Sequence, residues 1–217
     1  MSDAKANILS RLRAAPKAPA REEEDFSVIA EKRWPPEQRY ARLRRLMESV
    51  NTEFIDSSRA DWPQALEAFL TAEGVTSLAH GTPPNLVAGV TQACGNRVER
   101  LVYDRPIEDL REGLFEVQAG ITTAKGAIAD TGSLILWPTA AEPRLLSLVP
   151  PVHIVLLEVE KILDTLWQAM TDLGWAAGGG TNPILISGPS KTADIEQTLT
   201  FGVHGPKRLI VIALHAA

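Results

Sequence analysis

The chain has 217 residues, enough for one globular domain with an appended arm. Its hydrophobic share of 45% and charged share of 23% fit a protein that buries a core, and its net charge of −5, with no basic stripe, gives no electrostatic footprint for nucleic acid. The single cysteine, Cys94, excludes an internal disulfide and by itself cannot hold an iron–sulfur cluster or a zinc ion, which fits a reducing, cytoplasmic setting.

Residues 1–36 read as a mobile arm. Ile8 and Leu12 stand one helical turn apart, and a Pro/Ala stretch then leads into the charge run "REEED". This N-terminus lacks the apolar core of a secretory signal, and no run in the chain approaches the ~20 apolar residues of a membrane span. From residue 37 a folded α/β domain is expected. Tyr40, Leu43, Leu46, Met47 and Val50 fall at helical spacing in a pattern running on to Ile55. Asp61 is placed to cap a second helix carrying Leu66, Phe69 and Leu70. "VTSLAH" and "ERLVYD" read as short strands, as do "LFEV" and "SLILW", with Gly/Thr/Ala-rich turn material between the last two. "EPRLLSLVP" reads as a short helix, the continuous apolar run "VHIVLLEV" as a strand buried on both faces, and "KILDTLWQAM" as a helix. "ILIS", "TADIEQTLTFG" and "RLIVIAL" follow as strand, helix and strand. Strands alternating with helices argue for a mainly parallel sheet flanked by helices, with an N-terminal helical extension.

In such a sheet ligands collect beyond the carboxyl ends of the strands. That rule selects Thr123 and Lys125 after one strand and Ser187, Gly188, Ser190 and Thr192 after another. A helix opening near Ser190 or Thr192 offers free N–H groups to an anion, with Lys125 as a positive clamp. The same residues also serve as ordinary caps, with Asp194 complementing the helix dipole. Asp130, beside Thr131 and Gly132, reads either as a base or as the acceptor of an Asx-turn. His204, in "GVHGP", either holds its loop or faces the crevice. The histidines lack metal-ligand spacing, and no cofactor motif is present.

"GITTAKGAIADTGSLIL", "PPVHIV" and "SGPSKTADIEQTLTFGVHGPKRL" together resemble the LUD domain family, in particular its lactate utilization protein C group. The resemblance implies a fold like that of ribose-5-phosphate isomerase, glucosamine-6-phosphate deaminase and the CoA transferases. It also implies a role in bacterial oxidation of L-lactate to pyruvate beside iron–sulfur partner proteins, this chain carrying no cluster of its own. The alternatives are a free-standing enzyme on a phosphorylated or CoA-linked acid, with Asp130 as base, and a pure interaction subunit. Either way the polar loops are expected on one edge of the sheet, with Asp130 and His204 supplying proton transfer around a small anionic ligand.

Overall fold

The computed structural model describes residues 2–15, 27–175, 182–193 and 199–216. The chain divides after Glu31 into two units. The smaller holds α1 (Ser2–Ala14) and α2 (Ser27–Ala30). The larger is Lys32–Ala217.

Its centre is a six-stranded, wholly parallel sheet. In chain order the strands are β1 (Thr52–Ser58), β2 (Ser77–His80), β3 (Glu99–Val102), β4 (Ala119–Thr123), β7 (Val152–Glu158) and β12 (Arg208–His215). In space they run β1-β12-β7-β4-β2-β3. The helices are α3 (Pro36–Glu48), α4 (Trp62–Ala72), α5 (Pro84–Cys94), α6 (Ile107–Glu116) and α7 (Leu166–Asp172). A second, four-stranded sheet, ordered β8-β5-β6-β9, is built from β5 (Gly126–Ile128), β6 (Ser133–Leu136), β8 (Ile162–Leu163) and β9 (Ile184–Ile186). Among the described residues no helix is long and apolar enough to cross a membrane.

The alternation within β7 and β12 explains the layers. Ile154, Leu156, Ile210 and Ile212 face α4 and α5, where Leu66, Leu70, Leu86 and Val90 cover them. Val155, Leu157, Leu209 and Val211 face the other way, against Leu43 and Met47 of α3 and Ala127 and Leu134 of the small sheet. Both faces are buried, so both strands read as unbroken apolar runs.

Several local readings of the sequence change. "KILDTLWQAM", for one, is helical only from Leu166, with Ile162–Leu163 forming β8. The helical pattern ends at Glu48, and the stretch after Asn51 is the edge strand β1, paired along its length with β12. "LFEV" lies at the end of α6, whose Leu110 and Leu114 are one turn apart and buried, while Phe115 is 68% exposed. The strand is the next segment, β4, which composition had marked as turn material. Lastly, no helix opens at Ser190 or Thr192. Lys191–Ala193 (β10) and Leu199–Phe201 (β11) pair as antiparallel strands, and Asp194 lies outside the described residues.

Candidate functional site

A cavity of about 520 Å³ opens at the carboxyl ends of β4, β7 and β12. Thr123 and Lys125 line it where β4 ends, Glu158 where β7 ends and Leu214 near the end of β12. Trp62, at the start of α4, forms part of the wall. So do Asn85 and Leu86, in the first turn of α5, whose backbone N–H groups precede the helix's own hydrogen-bonding ladder. The positive end of α5 therefore faces the cavity.

The remaining wall comes from the loop after β6, which carries Trp137, Thr139 and Glu142. Two contacts fix this loop. The Thr82 amide donates to the Ala141 carbonyl at 2.8 Å, and Gly81 lies so close that a Cβ there would overlap the same carbonyl. Glu142 then reaches Thr123, accepting from its amide at 2.8 Å and its hydroxyl at 2.6 Å. Burial pushes the Glu142 carboxyl above its ordinary range, and the two Thr123 hydrogen bonds only partly offset this. Glu158 is neutralised by Lys161 at 2.5 Å and Arg59 at 2.8 Å. The Lys125 ammonium is exposed and makes no hydrogen bond or ion pair among the described residues. The cavity thus combines an unpaired cation, a helix amino end and a carboxyl group with raised proton affinity.

The other expected site residues go elsewhere. Ser187, Gly188, Ser190 and His204 line a second cavity of about 270 Å³, which also takes in His153 and Leu209. His153 and Leu209 stand near the starts of β7 and β12, so this cavity is at the opposite, amino end of the large sheet. The carboxyl-end rule failed here because β9, which leads into Ser187, belongs to the small sheet. Thr192 lies in β10, across from Thr200. Ser187 also closes a hydroxyl chain in which Thr131 donates to Ser133 at 3.0 Å and Ser133 meets Ser187 at 2.8 Å, so two motifs far apart in sequence are tied together.

Asp130 lines neither cavity. It accepts from Lys32 at 2.5 Å and Arg42 at 3.3 Å. Its neighbour Asp164, fully buried, takes both ends of the Arg39 guanidinium at 2.8 Å and the Trp34 amide at 3.1 Å. Lys32 and Arg42 each lie over the Trp34 ring. These contacts fasten the Lys32–Trp34 segment and α3 to the small sheet. The expected convergence on one crevice is therefore replaced by three separate places. Sequence reasoning missed Glu142, Asn85 and Trp62 at the carboxyl-edge cavity, and "AAEPR" carries no local signal that would have marked Glu142. Among the described residues no cluster of three or more histidine, cysteine, aspartate or glutamate side chains is placed to hold a metal ion.

The LUD domain family model matches residues 40–214. The chain belongs to the LUD domain family. This LUD domain is 34% identical to an uncharacterized protein, NMB1437, of Neisseria meningitidis, over 97% of the chain and 93% of that protein. It is 25% identical to the lactate utilization protein C of Oceanobacillus iheyensis, over 79% of the chain and 78% of that protein. The crystal structure of a DUF162 family protein from Deinococcus radiodurans shares its fold, with a TM-score of 0.63, 21% identity and coverage of 84% of this chain and 99% of that one.

Proposed function

We propose that this LUD domain is a component of a bacterial L-lactate utilization system and that its carboxyl-edge cavity takes lactate and pyruvate. The name of the Oceanobacillus relative supports the system. The observation that carries the site is the unpaired Lys125 ammonium sharing a cavity with Glu142 and the amino end of α5. Lys125 and the free N–H groups of α5 hold the carboxylate. Glu142, with its raised proton affinity, takes the hydroxyl proton.

Oxidation of lactate to pyruvate releases two electrons and two protons. Glu142 takes the hydroxyl proton, and the Cα hydrogen with the electron pair of its bond must pass to an acceptor supplied by the partner proteins. Their iron–sulfur clusters would carry the two electrons on while the second proton goes to solvent. The single cysteine of this chain, buried in the core, is too few for a cluster. The ion pairs of Asp130 support a docking role for that carboxylate, and Glu142 replaces it as the proton carrier in this reading. Without a helix end at Ser190, the Ser187–Thr192 segment loses its claim as an anion cradle, and the anion is placed at Lys125 instead.

The test is genetic and biochemical. Deleting the gene in its native host should abolish growth on L-lactate, and the tagged wild-type protein, restored to that strain, should rescue growth and co-purify with iron–sulfur proteins. Normal growth of the deletion strain on L-lactate would overturn the assignment.

A further inference from the structure

The cavity at the amino end of the large sheet is lined differently from the one at the carboxyl end. Its polar side chains are Ser147, Ser187, Ser190, His153 and His204, and among the described residues no lysine, arginine, aspartate or glutamate lines it. The rest is aliphatic, from Leu148, Ile184, Ile186 and Leu209. These described groups carry no fixed positive charge, so they suit an uncharged ligand better than the anions of the carboxyl-edge cavity.

His153 is the deepest polar group of that wall. It is 1% exposed, and its Nε2 shares a hydrogen bond of 2.9 Å with the Thr122 hydroxyl. Its Nδ1 is buried without a partner. Burial pushes the ring down to about 3, so it is neutral at physiological pH. A buried polar atom left unpaired costs about 1–3 kcal/mol, and such atoms are few in folded proteins. At the cavity's mouth His204 is exposed and has no hydrogen bond among the described residues. The Gly205 loop closes on Ser190 tightly enough that a Cβ at Gly205 would stand 3.2 Å from the Ser190 Cβ. Three of the sequence motifs, "PPVHIV", "SGPS" and "GVHGP", meet at this one cavity.

We propose that this cavity is a second binding site, for a small uncharged molecule with an apolar body and one keto or hydroxy oxygen, which His153 Nδ1 recognises. The aliphatic wall takes the body. The imidazole serves either kind of oxygen, because Thr122 can donate to or accept from Nε2 and so leaves Nδ1 as donor for a ketone or acceptor for an alcohol. Nδ1 is shut off from bulk water, so the ligand reaches it from the cavity side.

The experiment uses the full-length protein labelled with ¹⁵N and follows the His153 ring nitrogens in long-range proton–nitrogen spectra. The probes are cyclohexanone, cyclohexanol and, as the charged analogue, cyclohexanecarboxylate. A saturable shift of His153 Nδ1 with the ketone or the alcohol, and at least tenfold weaker binding of the carboxylate, is the expected result. His153→Phe should weaken binding of the neutral probe by at least tenfold. Ser190→Leu, which fills the cavity at its mouth and leaves β7 untouched, should do the same and keeps the test valid if the first variant does not fold. No Nδ1 shift with either neutral probe, equal binding of the carboxylate, or undiminished binding in the Ser190→Leu protein would each overturn the proposal.

Discussion

Glu142 holds the last residue of β4 with both carboxyl oxygens, taking the Thr123 amide at 2.8 Å and its hydroxyl at 2.6 Å. A loop carboxyl group thereby fixes the end of a central strand and lines the cavity into which that strand opens. Burial of that carboxyl group deprives its charged form of water and raises its proton affinity, and the two hydrogen bonds from Thr123 offset this only in part.

The sign of the resulting pH dependence follows from linkage. The folded-state pKa of Glu142 lies above its unfolded value, so between the two the native state binds more protons than the unfolded state. Stability from this group is full below the ordinary glutamate pKa and is lost as pH rises through the raised value. Glu142→Gln, which can still accept from the Thr123 amide, should remove that fall while costing about 0.5–1.5 kcal/mol, the scale of one altered hydrogen bond. Urea unfolding of both proteins from pH 4 upward, at about half-unit steps, provides the check.

His153 has the opposite sign. Its folded value of about 3 lies below the ordinary 6.5, so the unfolded state binds the extra proton as pH falls. The stability it contributes is present above the ordinary value and is lost on acidification toward pH 3, at up to about 1.4 kcal/mol per pH unit. Replacing it with glutamine should flatten the unfolding free energy across that window. An equally steep fall in His153→Gln would assign the slope to other groups.

The two aspartates beside Trp34 should differ sharply. Asp164 is fully buried against Arg39, and breaking a buried pair from one side costs about 3–5 kcal/mol. Asp130 and its partners Lys32 and Arg42 are each 24–45% exposed, so Asp130→Asn should cost under about 1 kcal/mol. Equilibrium denaturation of Asp164→Ala and Asp130→Asn tests the contrast. If Asp130 only docks the segment before α3, its variant should also keep wild-type affinity for pyruvate.

Gly89 positions the cavity wall. A Cβ there would overlap the Trp62 ring, and Trp62 lines the carboxyl-edge cavity. Gly89→Ala should therefore cost about 1–3 kcal/mol through overpacking and weaken pyruvate binding by moving the indole. Thermal unfolding together with a binding titration checks both effects.

How much of this was legible in the sequence depended on burial. β7 and β12 announced themselves because both their faces are covered, so apolar residues run without interruption. β1 stayed hidden because it is an edge strand with charged Glu53 and Asp56, and its half-buried Phe54 and Ile55 extended the helical spacing of α3. "LFEV" misled because Phe115 is an exposed apolar residue at a helix end, which local composition cannot distinguish from a strand. The carboxyl-end rule selected Thr123 and Lys125, which line the cavity, but it did so after "LFEV" rather than after the actual strand β4. Glu142 was not, because its role arises from a tertiary contact with Thr123 across a loop. The "SGPS" and "GVHGP" segments were recognisable as motifs, but which sheet β9 belonged to, and so which end of the fold they serve, is decided by its pairing with β6.

The most direct test of the central claim is calorimetric titration of pyruvate and L-lactate into the wild-type protein and into Lys125→Ala. The account predicts saturable binding to the wild type and a loss of about 1–3 kcal/mol in the variant, the scale of a charge-assisted hydrogen bond. Binding that is unchanged in Lys125→Ala, or no binding of either acid to the wild type, would contradict it.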